Sequence, residues 1–498
     1  MKKKFDVFAI VLIIIVAIGI TSKEFQNDTF YIIKIGESIM KNGIDMIDHF
    51  SIHNISYPYE HWLHDILVYG IYSKTGFFGL YISNIIFASL LGFILYFSTK
   101  KLYKNKYISL IFTVLVLIMM NNFIATRAQL ITYILFALEI YFLEMITKTG
   151  KRRYVIYTFL ASILCANLHS AVWPMYLVLF LPYFASYLFI KYYKLSFEIK
   201  SLKILKKSNC WFIGNNYLDN TLNIKKDNYS NIKVLFFTFL ICILSGFINL
   251  NHNQCFIHFI NLRLGTTLNH IAEHQPIVLY DNLDVFLYLI FIFGYLYKSK
   301  QNLSIKNIFL LGGLLLLTIS SYRHLALFLV IGVYPIIQLF SNFQYRSNVQ
   351  KQKMWLFFSV FSIFISIFMF INNYNKKYIS NEYPIGAAKY IKQNLQKDDI
   401  SLYNDYDWGS YLILNNIKVF IDSRASLYTK QFNHLKYDIY EDWRKVSTTG
   451  KYKKVFKRYN ISHALVKRYS VLDYSLKANS KFKKIYSDKK FVLYEYNK

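Results

Sequence analysis

The sequence predicts a polytopic α-helical membrane protein with a small C-terminal α/β domain outside the bilayer. Three observations predict it. First, 55% of the 498 residues are hydrophobic and 19% aromatic, and mean hydropathy is positive, which is too apolar for an ordinary soluble chain. Second, the apolar residues gather in repeated runs of about 15 to 23 residues, near the length of a membrane-crossing helix. Third, the loops between these runs alternate between many and few basic residues, as the positive-inside rule requires.

Eleven spans are expected, at about 5–20, 76–98, 107–124, 129–147, 154–168, 171–190, 233–250, 284–297, 307–320, 324–340 and 354–372. The first follows Lys2-Lys3-Lys4 and imitates a signal peptide. No small-x-small cleavage site ends it and further spans follow, so an uncleaved helix is expected. With the N-terminus in the cytoplasm, the inner connections are Lys100–Lys106, Lys148–Arg153, Lys191–Lys233, Lys298–Lys306 and Arg346–Lys353, all rich in Lys or Arg. The short outer connections hold Arg127, Arg263 or Arg323 singly, or no basic residue. This alternation places residues 1–373 in a multi-pass domain of the plasma membrane, with a first outer loop over 21–75 and a basic cytoplasmic loop over 191–233.

The formal charge of +30 would suggest nucleic acid in a soluble protein. Here it fits loops held at an anionic lipid surface, so the bilayer is the expected partner and nucleic acid is not. Cys165, Cys210, Cys242 and Cys255 lack CxxC or metal spacing, so no disulfide or cysteine metal site is expected.

Composition changes after Asn373, and 374–498 reads as an extracytoplasmic α/β domain. Pro384-Ile385-Gly386 opens a helix to Leu395, and a second helix is expected near 451–459. Strands are expected at 400–404, 417–422, 462–466, 482–487 and 490–496. No phosphate-binding glycine loop is present.

Candidate chemistry concentrates in the first outer loop. Residues 29–42 alternate apolar and charged positions as an interfacial helix does, and Asn42-Gly43 stops it. Asp28 stands just before this helix, where it suits both an N-cap and a reactive acid. A second helix over Tyr59–Tyr72 spaces Glu60 with His64, and His61 with Asp65, at i,i+4. These residues and Asp48 suit acid/base work or a divalent metal, since His and carboxylate ligands fit Zn or Mn; no motif fixes a cofactor.

The outer ends of the spans add Arg127, His169, Arg323 and His324, and the longer outer loop adds Arg263, His270, Glu273 and His274. Any one of them suits snorkelling to headgroups, but together on one side they suit a substrate path, with arginines for a phosphate. Glu139 and Glu144 lie within the fourth span and suit either a helix–helix ion pair or a cavity wall.

The chain resembles the GT-C superfamily of membrane glycosyltransferases along nearly its whole length. The resemblance rests on an acid after the first span, a helix ending in Asn-Gly, the Asp48-His49-Phe50-Ser51 turn and the His61-Trp62-Leu63 helix. It continues through Thr126-Arg127-Ala128-Gln129, Asn167-Leu168-His169, Glu273-His274-Gln275-Pro276 and Arg323-His324. Tyr406-Asp407-Trp408-Gly409-Ser410 and Asp422-Ser423-Arg424 extend it to the C-terminal domain. The chain departs from the pattern in having Glu60-His61 where His-Glu is common, and Arg127-Ala128 where Arg-Pro is usual. The resemblance implies transfer of a sugar from a polyprenyl-phosphate-linked donor to a glycan, lipid or protein acceptor at the outer face. Asp28 is then the base or metal partner, and Arg127, Arg323 and Arg263 bind donor phosphate. A scaffold, transporter or flippase for lipid-linked glycans is the alternative, but that would favour ionisable residues at mid-membrane, and here most lie at the outer ends.

Overall fold

The structure is a computed structural model that describes the chain apart from residues 1, 202–229, 251, 254, 258–259, 262–270, 300–303, 342–347, 396–399 and 498. Most of the basic loop 191–233 and both Arg263 and His270 therefore lie outside the described residues.

Helices α1 (Lys2–Ile20), α2 (Asn27–Asn42), α3 (Trp62–Tyr103), α4 (Lys106–Met119), α5 (Ala128–Thr149), α6 (Arg152–Leu168), α7 (Trp173–Val178) and α8 (Leu181–Ser201) form the first half. The second half holds α9 (Ile232–Ser245), α10 (Leu283–Ser299), α11 (Ile305–Ser320), α12 (Leu325–Phe340) and α13 (Asn348–Tyr374). Each expected apolar run falls on a helix. By length and composition, five of the described helical stretches can cross a membrane: Trp62–Tyr103, Ala128–Thr149, Trp173–Tyr192, Tyr322–Phe340 and Met354–Tyr374. The remaining runs form shorter helices or, in α1, one that starts with charged residues, so eleven crossings were expected and five qualify.

Two of the expected helices change shape. The one expected over Tyr59–Tyr72 starts at Trp62 and continues into the next span as α3. Its two parts meet at Gly76, whose φ of 62° lies in the left-handed region that favours glycine. The span expected at 171–190 is divided into α7 and α8.

Inside the bundle, Glu144 pairs with Lys306 of α11 and accepts from the Tyr183 hydroxyl at 3.0 Å, the ion-pair option foreseen for it. Glu139 is fully buried, and neither carboxylate oxygen has a hydrogen-bond partner among the described residues.

The C-terminal segment holds α14 (Ile385–Asn394), α15 (Gly409–Leu414), α16 (Ile439–Thr449), α17 (Lys453–Arg458) and α18 (Val471–Lys477). Its strands are β1 (Leu402–Tyr403), β2 (His463–Lys467), β3 (Phe482–Ser487) and β4 (Phe491–Tyr496), in the order β1-β2-β4-β3. β1 runs parallel to β2, and the β2–β4 and β3–β4 pairs are antiparallel. The strand expected at 417–422 is not in this sheet. Val419 instead bridges Ser51 of the first outer loop, with Ile52 N–H donating to Val419 O at 3.0 Å and Val419 N–H to Phe50 O at 3.1 Å.

That bridge shows how the molecule is layered. One apolar core lies within the helix bundle. A second joins Phe30, Ile33 and Ile35 of α2, and Val68 and Leu80 of α3, to Leu412, Phe420, Leu465 and Leu493 of the C-terminal segment. The amphipathic pattern of residues 29–42 thus reflects burial against protein on two sides. The first outer loop and the C-terminal residues share one core, although the chain places the whole bundle between them.

Candidate functional site

The site is built where the ends of several helices meet beneath the second core. Asp28 is not the N-cap expected of it: α2 starts at Asn27, Gln26 takes the cap position, and Asp28 sits in the first turn. Its carboxylate is turned to Arg127, with which it forms a close ion pair. Arg127 caps α5 in extended backbone, and its other terminal nitrogen donates to Glu273 at 2.8 Å. The Thr29 hydroxyl donates to Thr126 O at 3.4 Å and the Thr126 hydroxyl to Asn84 Oδ1 at 3.1 Å, so α2, α3 and α5 are tied together beside this guanidinium.

Burial works against charge on Arg127, but Asp28 and Glu273 hold its pKa above the usual arginine value. Burial likewise opposes charge on Glu273, and Arg127 holds that carboxyl below the usual range. One cation thus bridges two carboxylates and fixes their separation.

Arg323 lies nearby in a short 3₁₀ turn, Tyr322–His324, that starts α12's stretch. Its Nη1 donates to His274 Nε2 at 3.2 Å. Burial and the adjacent Arg323 charge push the His274 imidazole down to about 4, so at neutral pH it accepts this bond as the uncharged ring. Among the described residues no carboxylate forms an ion pair with Arg323. The Glu273–Gln275 segment is fastened to this turn: Ser321 Oγ donates to Glu273 O at 3.2 Å and Tyr322 N–H to Gln275 O at 2.9 Å.

These groups line one cavity of about 570 Å³, together with Glu60, His61, His169 and His324. His169 Nδ1 is 3.0 Å from the Thr132 hydroxyl, and Ser170 fixes the Glu60 carbonyl through its N–H and hydroxyl, each at 2.9 Å. One wall is apolar, with Phe136, Met175, Val178, Leu317 and Leu327; the C-terminal segment closes the other side with Tyr406, Ser423 and Arg424.

No protein-family model matches the sequence, and no curated protein matches it. Solved structures do match. The Archaeoglobus fulgidus oligosaccharyltransferase in its apo form superposes with a TM-score of 0.62 at 11% identity, over 94% of this chain and 70% of that one. The oligosaccharyltransferase AglB from the same organism, in complex with an inhibitory peptide and a dolichol-phosphate, gives 0.61 at 11% identity over the same shares. The chain has a GT-C-type fold. ArnT from Cupriavidus metallidurans, bound to undecaprenyl phosphate, superposes more loosely, with a TM-score of 0.43 at 10% identity over 99% of this chain and 98% of that one.

Within this GT-C fold, nine of the residues singled out from sequence converge on the cavity: Asp28, Glu60, His61, Arg127, His169, Glu273, His274, Arg323 and His324. Within the cavity, His274 is held against Arg323. Asp48 does not line it. Asp48 is fully buried and accepts from Arg424 Nη1 at 2.8 Å, while Asp422 takes the opposite edge of the same guanidinium at 2.7 and 2.9 Å. It anchors the loop to the C-terminal segment. His64 also lies away from the cavity, and the expected Glu60–His64 pairing is replaced by one centred on Asp65. His61 Nδ1 donates to Asp65 Oδ1 at 2.6 Å, and His64 Nδ1 lies 3.7 Å from the same oxygen. Glu60 precedes the helix and so cannot use helical spacing to reach His64.

Tyr31, Tyr57 and Arg424 line the GT-C cavity but were not among the candidates read from sequence. The tyrosines are hidden by how common aromatics are in this chain. Arg424 carried a usable signal: Asp422-Ser423-Arg424 places opposite charges two residues apart within an apolar stretch.

Proposed function

We propose that this protein is a membrane glycosyltransferase that moves a sugar from a polyprenyl-phosphate-linked donor to an acceptor in the cell envelope. The observation that carries the reading is one cavity, in a GT-C-type fold, holding a carboxylic acid side chain, a guanidinium that orients it and a second guanidinium without a carboxylate partner among the described residues. AglB, with the same fold, binds a dolichol-phosphate, which supports a lipid-phosphate donor here. The apolar wall suits the first units of a prenyl chain.

In the reaction, the acceptor hydroxyl or amine attacks the anomeric carbon. The bond from that carbon to the phosphate oxygen breaks, and polyprenyl phosphate leaves with the electron pair. The charge that builds on the phosphate falls to Arg323, whose planar fork suits a phosphate. Asp28 takes the acceptor's proton as the new bond forms. Arg127 aims Asp28, and Glu273 shares that guanidinium, so the cation is divided between two acids. The positive-inside pattern supports an N-terminus in the cytoplasm and a reaction at the outer face.

The test is transfer by the purified, reconstituted chain, supplied with polyprenyl-phosphate-linked sugars and read as release of free polyprenyl phosphate. Loss of release by about 10²- to 10⁴-fold in Asp28→Asn is the expected result for removing a general base. Undiminished release in that variant removes Asp28 from the reaction.

A further inference from the structure

Next to the transfer cavity, but outside the machinery assigned above, His61, His64 and Asp65 form a buried cluster at the start of α3. His61 takes the cap position, and the other two follow in the first turn at i+3 and i+4, so all three share one helix face. Their nearest ligating atoms lie within 4.8 Å of one another. One hydrogen bond, His61 Nδ1 to Asp65 Oδ1, satisfies one atom of each partner. Among the described residues it leaves His64 Nδ1 and Asp65 Oδ2 buried without a hydrogen-bond partner. The His64 and Asp65 side chains are only 3% and 0% exposed, so solvent does not compensate them. In an apolar setting each such orphan keeps the full penalty of having lost its water. Two in one cluster of nitrogen and oxygen donors suit an electropositive ligand shared between them.

We propose that His61, His64 and Asp65 bind a first-row divalent cation, with zinc as the best match to two imidazoles and one carboxylate. Bonds of about 2.0–2.2 Å at tetrahedral angles set ligand atoms roughly 3.4 Å apart. Small side-chain rotations bring the cluster to that spacing, widening the His61–Asp65 contact and drawing His64 inward. The surroundings supply what such a site needs. The other His61 nitrogen, Nε2, is 3.3 Å from the Tyr31 hydroxyl, the kind of outer partner that fixes a ligating ring. Gly36 of α2 allows the helices to meet at this level, since a Cβ there would lie 2.1 Å from the Asp65 carbonyl. His61 also lines the transfer cavity, which provides an entry path and leaves the fourth ligand position to water or another small donor.

The site does not depend on the transfer reaction, and its test reads metal rather than turnover. The full-length protein in detergent is stripped with chelator, incubated with zinc alone, desalted and assayed by elemental analysis and thermal melting. The expected result is close to one zinc per chain and a melting temperature that rises with zinc. His64→Gln and Asp65→Asn lose both effects, and Tyr31→Phe weakens zinc binding by about tenfold. Asp28→Asn keeps its zinc, so loss of transfer in that variant and loss of metal in the others are separate results. Zinc retention by His64→Gln, or no uptake and no zinc-dependent shift in a wild-type chain that melts cooperatively, overturns the site.

Discussion

Asp28 and Arg127 are informative only as a pair. An ionised acid with a mobile cation nearby would be a surface ion pair of little consequence. Here the cation is fixed between two acids and is itself largely buried. Arg127→Lys keeps the charge but loses the two-sided fork, so transfer should fall by about 10²-fold or more while zinc uptake is unchanged, measured on the reconstituted protein. His274 gives a pH signature. Its pKa lies near 4 in the fold and near 6.5 when unfolded. Between these values the unfolded chain binds a proton that the fold refuses, so this group removes stability as pH falls from about 6.5 to 4 and adds no slope above that window. The stability difference between wild type and His274→Gln should therefore shift across that window and stay flat from pH 7 to 8, read by melting at each pH. From sequence, Asp28, Arg127, Arg323 and His274 were recognisable because ionisable groups are scarce in so apolar a chain. Their pairing was not, since it depends on which helix ends meet.

The first outer loop works as a strap at the scale of elements. Its backbone bridges Val419, His53 Nε2 lies 2.8 Å from the Phe420 carbonyl, and Asp48 grips Arg424. Arg424→Met would leave the Asp48 and Asp422 carboxylates buried with no counter-charge. The expected cost is about 3–5 kcal/mol, measured by chemical unfolding of the region followed through protease sensitivity near residue 50. Asp48→Asn together with Asp422→Asn in the same background should restore part of it. Gly36→Ala should also destabilise, by about 1–3 kcal/mol, because the added methyl meets Asp65 backbone. Helix α2 and strands β2, β3 and β4 were legible, since period and turn residues define them locally. The 417–422 segment was not. Its alternation fits a strand, but the edge it pairs with belongs to residues 50–52, far away in the chain.

Across the whole molecule, the fold follows from apolar runs and charged loops, and these are properties of sequence alone. A reporter fused after Lys498 should report an extracytoplasmic end; a cytoplasmic signal would overturn the placement of the cavity with Asp28, Arg127 and Arg323 at the outer face. What the sequence does not disclose is that the second core ignores the boundary near residue 373. Composition changes there, but burial does not, because the contacts of Phe30 with Tyr383 and Tyr411 leave no local mark in either segment.

That shared core makes assembly a matter of timing. α2 is among the first segments a ribosome would deliver, and the residues that cover it are among the last. Until then Phe30, Ile33 and Ile35 lack their C-terminal cover, and Tyr406, Ser423 and Arg424 are missing from the cavity wall. The proposed transfer thus needs residues 374–498 in place, and an interrupted translation product would expose its defect as an uncovered apolar helix. A chain ending at residue 373 should accordingly be cleared by membrane proteases, and supplying residues 374–498 in trans should protect it, both visible in a pulse-chase experiment.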